Sequence, residues 1–299
     1  MDMKSSFLNK ERMDYSYENN IHMKFNNKQI LVLVAALFST AASAQFYVGV
    51  QSGIANIQSD VKGVRASHKI GGAVKAGYIY NITEHIGIGS GVEFAQYKQK
   101  VFLTKGDAIQ SNFEVDETTS AFIYNVTSAN YREEQTLQAI QIPFFVQYRR
   151  NINVGVDFNF RAGVKYFLPV NYKIEASANA VTGVGYYPDV NLTINDLPDY
   201  GFGTQSPYSQ SGEYQTKGIL MSSFELGFTF QMGEKNALYA AMFLDSGYSS
   251  ILDQKQNESY IGYSQKSITD RKANGLYSTD KEATIKPVAF GLTLGWNFK

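Results

Sequence analysis

Between Val154 and Phe167 every second residue is apolar: Val154, Val156, Phe158, Phe160, Ala162, Val164 and Tyr166. The residues between them are Gly155, Asp157, Asn159, Arg161, Gly163 and Lys165. A period of two is the signature of an extended strand with two chemically opposite faces. The run is longer than the usual strand of a soluble protein. An apolar face backed by charge and glycine suits a strand lying between lipid and a crowded polar interior.

The same pattern recurs at 46–58, 69–81, 86–100, 137–149, 154–167, 219–232, 237–248 and 285–298. The connections near Ile82–His85, Arg150–Asn153 and Gly233–Asn236 are short, and those over 59–68, 101–136, 168–218 and 249–284 are longer. Short and long connections alternate. This predicts an all-β fold: an eight-stranded antiparallel up-and-down transmembrane β-barrel with tight periplasmic turns and long extracellular loops. Ala121–Tyr124 and Asn191–Ile194 also have strand character, so ten strands is the alternative. Pro143 falls inside the fourth strand, where a closed barrel has no free edge to excuse a missing N–H. A bulge or local break is expected there.

Turning the apolar faces outward gives a consistent set. It includes Val74, Ala76, Tyr78 and Tyr80, then Ile86, Ile88, Val92 and Phe94, then Ile140, Ile142, Phe144, Val146 and Tyr148. Phe224, Leu226, Phe228 and Phe230 follow, and Val288, Phe290, Leu292, Leu294, Trp296 and Phe298 complete it. Tyr80, Tyr148 and Trp296 lie near the short turns, where an interfacial aromatic girdle belongs. The opposite face carries Lys75, Glu93, Arg149, Asp157, Arg161, Lys165, Glu225, Asp245 and Lys286, with many glycines. A soluble lipocalin-like barrel would point its charges to water and would have no use for glycine, which weakens strands. A narrow eight-stranded lumen has room only for packed side chains, and glycine beside a few long charged groups suits it. Buried charges require partners. Lys75, Glu93, Asp157, Arg161, Lys165, Glu225 and Asp245 are therefore expected to form a structural lumen network, with Lys75–Glu93 and Arg161–Glu225 as pairs at matching depth.

Composition sets the address. Met23–Lys28 is a short basic stretch, Ile30–Phe38 an apolar run too short to span a bilayer, and Ala42–Ser43–Ala44 an A-x-A cleavage pattern. Residues 23–44 are read as a signal peptide cleaved before Gln45, residues 1–22 as a non-native extension upstream of Met23, and 45–299 as the barrel. The chain of 299 residues has a formal net charge of zero and no cysteine. Nucleic acid is therefore not an expected partner, and disulfides and thiolate metal sites are excluded. No apolar run of 18 or more follows the leader, so no transmembrane helix is expected.

Candidate chemistry is sparse. Of the three histidines, His22 lies before the cleavage site, His85 in a short turn, and His68 at the end of the first outer loop. No Ser–His or Asp–His spacing accompanies His68. Gly87–Gly91 has the glycine density of a phosphate loop, but it lies within a strand and opens no helix. No calcium-loop spacing is present. No cofactor, metal or catalytic residue is assigned.

Three segments resemble the small outer-membrane β-barrel proteins of Gram-negative bacteria, in particular the PorT-like and OmpA-like families. Gln141–Ile142–Pro143–Phe144 is similar to an Ile-Pro strand start of the PorT-like group, with Gln141 where an acidic residue is usual. Leu244–Tyr248 resembles its Asp-containing seventh strand. Trp296–Asn297–Phe298 is similar to the aromatic C-terminal signal read by the barrel-assembly machinery, although Lys299 follows it. The resemblance implies an eight-stranded barrel in the outer membrane, in contact with its lipid, handled by that machinery during biogenesis, and without an assigned reaction. The expected role is non-enzymatic: a monomer with a plugged polar lumen, structural or binding an extracellular ligand through loops 101–136, 168–218 and 249–284. The alternatives are a narrow pore, a protein-secretion accessory, and an outer-membrane enzyme.

Overall fold

The computed structural model describes residues 44–104, 107–253 and 257–298. The expected extension and leader lie outside these residues, apart from Ala44. Strands run in chain order as β1 (Ala44–Ser59), β2 (Val64–His68), β3 (Ile70–Asn81), β4 (Ile86–Leu103), β5 (Asp107–Val115), β6 (Ala121–Ala129), β7 (Arg132–Asn153) and β8 (Val156–Ala178). They continue as β9 (Ala180–Tyr187), β10 (Leu192–Ile194), β11 (Gly203–Gln205), β12 (Tyr208–Glu213), β13 (Ile219–Gln231), β14 (Asn236–Gly247) and β15 (Ile285–Phe298).

Eight of these close a ring in the order β1–β3–β4–β7–β8–β13–β14–β15 and back to β1, each neighbour antiparallel. The seam pairs the first and last strands, from Phe46 opposite Phe298 to Ser59 opposite Ile285. The count is eight. The extra strand-forming segments, in β6 and β10, belong to a separate five-stranded sheet in the order β10–β9–β6–β5, with β11 on β9. Short β2 and β12 extend the wall beside β4 and β8.

Alternation decides the two faces. On β13 Leu220, Phe224, Leu226, Phe228 and Phe230 are exposed, while Ile219, Met221, Ser223, Glu225, Gly227 and Thr229 are buried. The exposed span from Leu220 to Phe230 is roughly 25 Å tall at about 3.3 Å per residue and a tilt near 40°, the height of a lipid-facing band. Tyr80 and Tyr148 are exposed at the short-turn end, and Trp296 Nε1 donates to Asn236 Oδ1 at 3.3 Å there. A soluble barrel with an apolar interior would show the reverse arrangement. One inward assignment changes: Lys286, expected inside, shares the parity of Val288 and lies on the outer side at the top of β15 beside Tyr248.

The longest strands outrun the sequence pattern. β7 has 22 residues and β8 has 23, against the expected 137–149 and 154–167. Val154 belongs to the turn and is 96% exposed, because Gly155 takes φ +74° and supplies the left-handed corner. Higher up, Gln138 faces Asn171 and Ala139 faces Pro169, so Val170 is a bulged extra residue. Pro143 causes a break without a bulge. The β4–β7 ladder runs in one register from Glu93–Gln141 to Ser90–Phe144 but omits the pairs between, where Pro143 has no N–H to give.

Above the belt the long loops fold into a cap with its own core. Phe122, Tyr124 and Val126 of β6, Val181 of β9, and Phe202, Tyr260 and Ile261 from the loops are buried in one continuous cluster with the barrel mouth. Phe122 alone makes ring contacts with Tyr187, Phe202 and Tyr263 at centroid distances of 5.1, 5.4 and 4.9 Å. Aromatic burial of this kind supplies much of the area that stabilises a small core.

Candidate functional site

Glu225, on the inner face of β13, is the centre of the lumen. Its Oε1 accepts from Lys75 Nζ and, at 3.0 Å, from Gln51 Nε2. Its Oε2 accepts from Arg161 Nη1 at 3.2 Å and from the Tyr239 hydroxyl at 3.0 Å. The Arg161 guanidinium also lies 4.0 Å from the Tyr239 ring centroid and donates from Nε to Gln147 Oε1 at 2.8 Å. One level outward, Lys165, 1% exposed, donates to Glu93 Oε2 at 2.7 Å and to Asp245 Oδ2 at 2.8 Å. Three cations therefore face three carboxylates, and the network closes without net charge.

The expected Arg161–Glu225 contact is present. Lys75 and Glu93 stand opposite each other in the β3–β4 register, yet Lys75 reaches Glu225 across the lumen and Glu93 is taken by Lys165. In so narrow a barrel the far wall is as close as the neighbouring strand. Asp157 is not part of the ion-pair network. It sits at the short-turn end, where Asn151 Nδ2 donates to its Oδ1 at 3.0 Å and Gln231 Nε2 to its Oδ2 at 3.3 Å. Gln51 and Tyr47 were readable as inner-face residues from the alternation of β1 but carry no charge to draw attention.

Glycine makes room for this filling. Gly77 and Gly91 are cross-strand partners. A Cβ on either would lie 2.3 Å from a backbone carbonyl and within 2.8 Å of the Tyr47 hydroxyl. The spaces left beside the network measure about 20 Å³ in two places and about 10 Å³ near the short turns, room for about one water each.

The mouth of the barrel is stitched to the cap through Glu133, fully buried on β7 above the belt. Its Oε1 accepts from Leu276 N at 2.6 Å and the Tyr131 hydroxyl at 2.9 Å, and its Oε2 from Gln135 Nε2 at 2.7 Å. No cation pairs with it among the described residues. Burial pushes its carboxyl above the ordinary range, and these hydrogen bonds pull the other way. Tyr277 belongs to the same plug: its N donates to Tyr214 Oη at 3.0 Å and its hydroxyl accepts from Gln99 Nε2 at 2.8 Å.

Arg271 is the cap's counterpart. It is 0% exposed and donates to the carbonyls of Val181, Gly201 and Gly203 at 3.1, 2.8 and 2.9 Å. These bonds tie the last loop to β9 and to the 201–203 corner. Burial lowers its pKa. Nothing in the sequence marked Glu133 or Arg271, since both lie in stretches read as loop.

Two clefts open on the outer side. One, of ≈ 550 Å³, lies between β5 and the segment 257–263; the other, of ≈ 360 Å³, lies at the rim between Tyr248 and Lys286. His68 is exposed at the end of β2. His85 Nδ1 lies 3.1 Å from the Arg149 carbonyl in a short turn. No group of three or more His, Cys, Asp or Glu among the described residues could hold a metal ion.

No family model and no curated protein matches the chain. Among solved structures it is similar to Neisserial surface protein A, at 11% identity and a TM-score of 0.33, covering 85% of this chain and 96% of that one. It is also similar to Ail, the attachment invasion locus protein of Yersinia pestis solved with the heparin analogue sucrose octasulfate, at 10% identity and a TM-score of 0.27, covering 85% and 99%. A third is the translocator domain of the autotransporter NalP from Neisseria meningitidis, at 9% identity and a TM-score of 0.23, covering 91% and 94%. These scores carry no argument of their own, and the class rests on the chain itself. A closed ring of eight antiparallel strands, apolar outside and charged within, makes it a transmembrane β-barrel of the outer-membrane type.

Proposed function

We propose that this chain is a monomeric, non-enzymatic outer-membrane barrel, closed to diffusion, that works through the cap on its extracellular side. The observation that carries this reading is the filled lumen. The Glu225 and Lys165 clusters occupy its middle, the spaces beside them are the size of a water, and the Glu133–Leu276 contact holds the cap in the mouth. A scaffold without a passage leaves its rigid outer surface as the place for function. Lipid contacts the belt, and the aromatic last strand is the element offered to the barrel-assembly machinery.

Against an enzyme stands His68, exposed, its side chain without a hydrogen bond or ion pair to any described residue. Against a pore stands the absence of a continuous space among the described lumen residues. The test is single-channel recording of the purified barrel in planar bilayers. A silent membrane is expected, and steady stepwise conductance would overturn the reading.

A further inference from the structure

The cap sheet ends on an open edge. In the order β10–β9–β6–β5, β5 pairs with β6 on one side and with no described strand on the other. Asp116 N donates to Ser120 O at 3.1 Å in the β5–β6 turn, and the register sets Val115 opposite Ala121. Antiparallel pairs alternate between bonded and unbonded, so the even residues of β5 bond to β6 and the odd ones turn their N–H and C=O away from it. Gln265 Nε2 donates to the carbonyl of Val115 at 3.0 Å. The N–H and C=O of Ile109, Ser111 and Phe113 meet no backbone partner among the described residues.

This edge lacks the usual protection. Natural edge strands are kept short, or carry Lys, Pro or a bulge. The other strands paired on one side only, β2, β10, β11 and β12, have three to six residues. β5 has nine, without Lys, Arg or Pro, and holds an unbroken register with β6. Phe113 is 82% exposed on its outer face and Val115 50%. The cleft of ≈ 550 Å³ lies beside Ser111–Glu114, so space for a further strand is open.

We propose that β5 is a docking edge for an extended segment of another protein, alternately apolar and basic, which joins the cap sheet as a further strand. A strand matches the backbone groups of an open edge along their length. Its alternate side chains fall on the two faces of the sheet. On the outer face apolar ones meet Phe113 and Val115. On the other, basic ones meet Glu114 and Glu258, which line the cleft without an ion pair among the described residues. Burial and then the neighbouring Glu258 charge raise the Glu114 carboxyl above the ordinary range, and a cation beside them relieves that repulsion. A second copy of this chain fits less well, because β5 would bring acidic residues and no cation.

The inference rests on the proposed function only in placing the cap outside. The test is isothermal titration of the full barrel in detergent with a capped eight-residue peptide alternating valine and lysine. Two isomers of it are N-methylated at the even or at the odd positions, and in a fourth peptide glutamate replaces lysine. The parent peptide binds. One isomer binds like it and the other at least about tenfold more weakly, because only one set of N–H groups faces β5. The glutamate peptide is also at least about tenfold weaker, since it brings like charge. Ser111→Pro removes an edge N–H and no bond to β6; it abolishes binding, whereas Ser111→Ala keeps it. Far-UV circular dichroism and trypsin resistance of the cap confirm that both fold. Equal affinities of the two isomers would overturn the proposal whether or not the variants fold. So would equal binding of the glutamate peptide, unchanged affinity in folded Ser111→Pro, lost affinity in folded Ser111→Ala, or no heat at about 1 mM parent peptide. Dimerisation of the barrel that Ser111→Pro abolishes would give the edge to a second copy and overturn it too. Any of these leaves the closed lumen standing, whereas steady conductance would sink the closed lumen and leave the edge.

Discussion

Glu225 gathers donors from four other strands: Gln51 of β1, Lys75 of β3, Arg161 of β8 and Tyr239 of β14. Replacing it with alanine strands two buried cations, and breaking a buried pair costs about 3–5 kcal/mol. Glu225→Ala is expected to lower the urea midpoint of the purified barrel accordingly; an unchanged midpoint would show that the cations find water. Glu133 predicts a pH effect at the mouth. Its folded pKa is raised, so the docked cap binds more protons than the open one between the ordinary carboxylate value and the raised one. The group's contribution is fully present at acid pH and is lost as pH rises through that window. Hydrogen exchange at Leu276–Thr279 should therefore speed up with rising pH beyond the intrinsic rate, and Glu133→Gln should remove the excess. Alternation alone put six of the seven expected lumen residues in the ion-pair clusters. It could not assign partners, because depth along the wall orders neighbours while long side chains cross the lumen.

The hairpin of β7 and β8 joins the belt to the cap, and the Val170 bulge is what lets it do both. Below the bulge Val164, Tyr166 and Leu168 face lipid; above it Tyr172, Ile174 and Ala176 turn inward to the cap core. Deleting Val170 removes only the extra residue and keeps the faces of 171–178, whereas inserting one alanine after Tyr172 exchanges the faces of the residues that follow. Lys173 and Glu175 would then enter the core. The expected result is a barrel that still forms, judged by heat-modifiable gel mobility, with a cap cut rapidly by trypsin. A protease-resistant cap would show that the shift is absorbed elsewhere. This bulge explains why the pattern became unreadable near residue 167. The period breaks there, and Pro169 follows, a residue that argues against a central strand. The cap strands were visible only as fragments, since short half-exposed strands such as β10 and β11 have too few residues to show a period.

At the scale of the molecule, belt, lumen and ring were legible because each strand repeats one rule, while the cap follows none. Its core depends on which loops meet, and Phe122, Phe202 and Tyr263 come from three separate ones. The seam gives a further expectation. Ala44 and Phe298 lie at the same end of adjoining strands, so a circular permutant joining them by a short linker and opening at Glu234 in the β13–β14 turn should fold with the same heat-modifiable mobility. Failure would mean that the order of the strands matters to folding as well as their pairing.

That order has its own consequence. The strand that shuts the ring, β15, is the last of the described strands to be synthesised, and the loop carrying Leu276 and Arg271 comes just before it. A growing chain therefore holds the fourteen earlier strands, which cannot yet enclose anything, and closure of the wall waits for the fourteen residues of β15. Pairings between the two ends of a chain are slow to find. Until then every apolar belt position faces water, so the polypeptide depends on whatever shields it on the way to the membrane, and damage to β15 costs the whole molecule rather than one strand.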